Sequence, residues 1–266
     1  MKQNKYFSMG RFARLLRNDL LINQKTYLFT LVGLLIAVYA LRFINMRNSN
    51  TSNIQNDLYL PNITFYLLGI GALIGTAFPA LKNQIKTSNY LLSPGSTFEK
   101  FMVQFVIRIA LFVTLALLIF WCATNLAKVS LIPDPKSGFD PSKIPYFHFS
   151  DLYAKADLTS IDKFAIVLSI FSAACVLFAG SVFFNRFALV KTLIASAIIV
   201  GAVVCSFVLF SHIFYPEVVT GFNIHFKEYK VTEDLSNFEL AFYLLGSLSW
   251  LFFLPLAYFK LKEKDV

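Results

Sequence analysis

The stretch "TSNYLLSPGSTFEKF", residues 87–101, is a short polar passage between two long apolar runs, and the fold turns on how it is read. Pro94-Gly95 breaks the chain. Ser96 then offers its hydroxyl to a helix whose third position is Glu99, so that each side chain satisfies the other's backbone N–H. A helix therefore starts in polar surroundings, before Phe101 carries it into an apolar run. Ahead of the break, "KNQIKTSNYLLS" sets Ile85, Asn89 and Leu92 at helical spacing beside Tyr90 and Leu91. Two readings are open. Either this is a short helix whose exposed apolar residues dock another protein, or it is a loop whose apolar residues dip into lipid headgroups.

Working outward, the apolar runs form six blocks at about 27–44, 61–81, 101–126, 164–184, 191–214 and 239–259. Each is close to the roughly 20 residues that span a bilayer. The chain is 57% hydrophobic and only 15% charged, against about 25% charge in an ordinary soluble domain. The sequence predicts one all-α integral membrane domain over 1–266, with six transmembrane helices. The first block reads as a span, since no A-x-A-like cleavage site follows it.

Charge sets the orientation. The N-terminal flank, the 82–100 loop, the 185–191 turn and the C-terminal tail hold 14 Lys/Arg and 4 Asp/Glu. The opposite loops hold 9 and 11, and Arg108 falls within the third block. Lys/Arg excess marks the cytoplasmic face, so both termini are expected inside. The net charge of +9 is thus spread over one membrane face, which argues against a nucleic-acid partner.

Before the first block, residues 11–24 carry Phe12, Leu15, Leu16 and Leu20 at helical spacing, with Arg11, Arg14 and Arg17 every third residue. This pattern predicts an amphipathic helix lying in the interface, its arginines near anionic membrane lipids. The alternative is a basic flank that only fixes topology. Gly71 and Gly75 form a G-x-x-x-G, and Ala197, Gly201 and Cys205 a similar small-residue ridge. Both are expected to serve helix packing within the subunit rather than a dimer seam. Cys122, Cys175 and Cys205 lie in apolar blocks without metal or disulfide spacing and are expected to be small packing residues. Among the exterior loops, 127–163 is proline-rich and irregular, and a short helix is expected within 215–238.

Arg108 lies seven residues into its block, about 10 Å along the axis. It either snorkels to the cytoplasmic headgroups or lines a path or pairs with a carboxylate. Arg42, near the exterior end of the first block, is expected to reach headgroups. Catalytic signatures are missing: no G-x-x-x-x-G-K-[ST], no H-E-x-x-H and no G-x-S-x-G. His148, His212 and His225 are scattered. No enzyme activity, metal or cofactor is expected in this chain.

Two stretches carry a resemblance. "FPALKNQIKTSNYLLSPGSTFEKF", 78–101, and "LFAGSVFFNRFALVKT", 177–192, resemble the two cytoplasmic connections of compact, six-span bacterial permeases of the type-2 ABC exporter superfamily. The resemblance implies a permease in the inner membrane, working as a dimer with a second copy or a related permease. Each copy would engage a cytoplasmic ABC ATPase that supplies ATP and Mg chemistry. Residues 82–93 would be the coupling segment, with Lys86, Asn89, Tyr90, Leu91 and Leu92 in ATPase docking and Ser96 and Glu99 holding the helix start. Residues 11–24 would be the interfacial helix and 215–238 an external gate segment. The long 127–163 loop departs from that pattern and leaves room for an envelope partner. The rival reading is a non-transporting anchor or scaffold of an envelope complex.

Overall fold

The computed structural model describes residues 7–48, 59–78, 81, 87, 90, 94–132, 142, 144, 146–150, 160–184, 187–214, 219–220, 223–224, 230–232 and 235–264. The described chain is overwhelmingly helical. Helix α1 runs Met9–Asn48, α2 Tyr59–Ile74 and α3 Thr97–Phe105. A π-helical turn, Val106–Leu111, joins α3 without a break to α4, Phe112–Val129. Then come α5 (Ser160–Phe183), α6 (Ala188–Phe214) and α7 (Asn237–Lys264). Among the described residues, four helical stretches are long and apolar enough to cross a membrane: Met9–Arg47, Thr97–Val129, Ile161–Phe183 and Ala188–Phe210. The expected blocks at 61–81 and 239–259 fall on α2, whose 16 residues end before the Gly75 turn, and on the 28-residue α7.

Two expectations about connections change. Residues 11–24 are not a separate helix lying across the interface, because α1 is one 40-residue helix, about 60 Å long. No Gly or Pro occurs between Gly10 and Gly33 to bend it. Its apolar row turns onto its own neighbours: a Cβ on Gly95 would come within 2.7 Å of Leu15 Cδ1. Within 215–238, where a short helix is one expectation, the described residues before Asn237 form two short antiparallel ladders. Val219–Thr220 (β1) pairs with Asn223–Ile224 (β2), and Lys230–Thr232 (β3) with Leu235–Ser236 (β4). These stretches are rich in β-branched residues, which suit strands better than helices.

The helices pack as two parallel pairs running in opposite directions. Along α1 and the α3–α4 helix, Ser8 meets Glu99, Asp19 meets Gln104 and Tyr27 meets Arg108. Along α5 and α7, Asp162 meets Tyr243, Ser172 meets Ser247 and Val182 meets Lys264. The pairs join where Phe101 packs on Phe178 and Tyr258 at 5.5 and 5.9 Å between ring centroids. Phe78 and Phe105 complete that cluster around Phe178. These contacts gather the starts of α1 and α3 with the ends of α5 and α7. At the far end, Tyr66 donates to Ala116 O at 2.7 Å and packs on Phe120, which packs on Phe147.

Small residues set the closest approaches. A Cβ on Gly180 would lie 1.8 Å from Thr192 Oγ1, so only glycine lets α5 and α6 meet there. The turn between them passes through Phe187 at φ 53°, an unusual conformation for a bulky residue. Gly71 packs against Leu177, as expected for packing within the subunit. The α6 ridge does not: Ala197, Gly201 and Cys205 are exposed, with open space around Gly201. Cys122 is exposed as well, and of the three cysteines only Cys175 is a buried packing residue.

Candidate functional site

The expected capping box is present. Glu99 N–H donates to Ser96 Oγ at 3.2 Å, and Ser96 N–H donates to Glu99 Oε2 at 3.0 Å. Glu99 also does something the local pattern does not announce. Its second oxygen, Oε1, accepts from Ser8 N–H at 2.6 Å and from Arg11 Nε at 3.2 Å. The Glu99 side chain is fully buried, while its ion-pair partner Arg11 remains 29% exposed. One carboxylate thus caps α3 and ties it to the beginning of α1. Buried charge of this kind is tolerated because both oxygens are hydrogen-bonded and a cation is adjacent.

Of the arginine row, Arg11 is taken up by this contact, whereas Arg14 and Arg17 are exposed, Arg14 donating to Gly10 O at 3.1 Å. In segment 82–93 the structure describes Thr87 and Tyr90; Lys86, Asn89, Leu91 and Leu92 lie outside the described residues. Tyr90 is half-buried rather than presented outward. Its ring stands edge-on to Phe78 at 6.5 Å, and its hydroxyl donates to Lys100 O at 3.4 Å. An aromatic side chain beside an apolar cluster gains more by burying its ring than by leaving it in water. At the same end, Lys264 Nζ donates to Val182 O at 2.6 Å, capping the last turn of α5. Burial, with the Lys260 charge adding to it, pushes the Lys264 ammonium below its ordinary pKa.

A second polar cluster lies deeper, between α1 and the α3–α4 helix. Asp19 accepts from Tyr27 OH at 2.8 Å, from Gln104 Nε2 at 3.0 Å and from Asn23 Nδ2 at 3.3 Å. Arg108 lies over the Tyr27 ring, Cζ 5.1 Å from its centroid. Its side chain therefore faces α1, with a ring beneath it and a carboxylate behind that ring. Arg108 sits in the π-helical turn, where Phe112 N–H reaches back five residues to Ile107 O. Such turns concentrate at functional sites. Nothing in "VIRIAL" distinguishes it from ordinary apolar helix, so sequence reading misses the turn.

Arg42 corrects its expectation. It is 1% exposed, not extended to headgroups. Val38, Arg42 and Met46 recur every fourth residue and form the buried stripe of α1. That phase could have been read from the sequence. His148 is exposed, and among the described residues no three His, Cys, Asp or Glu side chains come together as a metal site.

Comparison of the chain with protein-family models, with curated proteins and with solved structures finds no match.

Proposed function

We propose that this chain is the permease subunit of a type-2 ABC transporter, an exporter whose six transmembrane helices leave both termini in the cytoplasm. It works as a dimer and is driven by a separate cytoplasmic ATPase that binds ATP and Mg. The observation that carries this reading is the Glu99 joint. The polar segment 82–93 leads directly into the Ser96 cap, and the residue completing that cap also grips the start of α1. A push on 82–93 is thereby delivered to two long helices together, one of them containing the π turn and Arg108. The resemblance of 78–101 and 177–192 to permease connections supports the same assignment. So does the Lys/Arg excess on the flanks that these helix ends share.

Leu91 and Leu92 are the discriminating positions, because Tyr90→Asp would also strip packing from Phe78. Leu91→Asp with Leu92→Asp is expected to abolish ATPase association while membrane insertion and helicity stay intact. Retained association would remove the coupling role from 82–93. Isolation with envelope proteins and no ATPase would instead favour the scaffold.

A further inference from the structure

An apolar groove of about 360 Å³ runs between α3 and α7, lined by Phe98 and Phe101 on one side and by residues from Trp250 to Phe259 on the other. We propose that it is a binding site for one acyl chain of an anionic membrane phospholipid. The proposal does not depend on the transport assignment.

Its size, depth and surroundings point to this occupant. The volume falls within the roughly 300–1,000 Å³ typical of small-molecule sites. From Trp250 to Phe259 the groove extends about 13 Å along α7 at helical rise. One leaflet of a bilayer's hydrocarbon core is about 15 Å deep. Residues 250–259 are the half of the apolar 239–259 block nearest its basic end, so the groove matches a single leaflet.

Aromatic contacts hold its walls in place. Tyr258 packs edge-on against both Phe98 and Phe101, and Phe171 packs against Trp250. At the mouth, Pro255, Tyr258 and Lys262 follow one another at helical spacing on α7, and Lys262 is exposed. The groove face therefore continues into a cation one turn beyond its last aromatic residues. That position suits a negatively charged headgroup whose chain lies below it.

The protein has two tryptophans, which makes the test internal. Trp250 lines the groove, whereas Trp121 is 41% exposed on the outer face of α4 and reports bulk lipid. The full chain, as Trp121→Phe and separately as Trp250→Phe, is reconstituted in phosphatidylcholine vesicles. A rising fraction of phosphatidylglycerol with brominated acyl chains is then added, since bromine quenches indole fluorescence on contact. Trp250 quenching should saturate at a low brominated fraction, while Trp121 quenching follows the bulk fraction. Adding Lys262→Glu to the Trp121→Phe protein should move the Trp250 midpoint up by roughly fivefold, the factor worth one lysine at an anionic surface. Identical curves for the two tryptophans would overturn the site. Equal quenching of Trp250 by brominated phosphatidylcholine, or a Lys262→Glu midpoint that does not move, would overturn its anionic headgroup.

Discussion

Replacing Glu99 by alanine removes, in one step, the acceptor of Ser96 N–H, of Ser8 N–H and of the Arg11 guanidinium. Loss of the reciprocal cap costs about 1 kcal/mol. Losing a charged acceptor for Ser8 N–H adds about 2 kcal/mol. Arg11 is partly exposed, so its share is held to about 1 kcal/mol. Glu99→Ala should therefore destabilise by about 4 kcal/mol, against about 1 kcal/mol for Ser96→Ala, which touches the cap alone. In a double-mutant cycle, Arg11→Ala and Glu99→Ala should couple by about 1 kcal/mol. The assay is reversible unfolding in mixed micelles, followed by helical circular dichroism. If Glu99→Ala costs no more than Ser96→Ala, and the Arg11 coupling is zero, then Glu99 is only a local cap. The mechanical link between α1 and α3 would then be wrong.

Gly180→Ala drives a Cβ onto Thr192 and should cost about 1–3 kcal/mol by overpacking. Thr192→Ala should restore part of that stability in the same unfolding assay, because it removes Oγ1 and Cγ2 but leaves the Thr192 Cβ position 2.7 Å away. Tyr27→Phe keeps the ring under Arg108 but loses the bond to Asp19, for an expected cost of about 1 kcal/mol; Tyr27→Leu, which also loses the ring, should cost more by thermal unfolding. A diazirine photoprobe dissolved in the bilayer, which needs no thiolate, should label Cys122 and Cys205 far more than Cys175, since Cys175 alone of the three is buried; mass spectrometry of the labelled protein checks this.

Local signals were legible in the sequence where chemistry is local. Ser96 and Glu99 announce their cap because the partners are three residues apart. Apolar block length announces the four membrane-length helices found among the described residues, because hydropathy is a property of the local run. What depends on distant packing was not legible. Oε1 of Glu99 meets Ser8 some 91 positions away, and no local pattern encodes that. Arg11–Arg14–Arg17 reads as a surface row, yet Arg11 is drawn to a carboxylate from another helix. Arg42 is a different case: charge and a place near a block's end suggest a headgroup anchor, but its four-residue spacing from Val38 and Met46, which the sequence does carry, puts it on the buried stripe. Tyr90 looked like an exposed docking residue until Phe78 supplied a face for its ring. Arg108 was recognised as costly in a membrane, but its resting place on Tyr27 depends on how α1 lies along the third block.

The central claim is that a cytoplasmic ATPase works through residues 82–93. The most direct measurement is purification of the protein from its native membrane in mild detergent, with the partners identified and weighed by mass spectrometry and ATP hydrolysis assayed. A near-stoichiometric ATPase, lost in the Leu91→Asp, Leu92→Asp protein, is the expected result. An intact protein accompanied only by envelope components, with no ATP hydrolysis, would contradict the account.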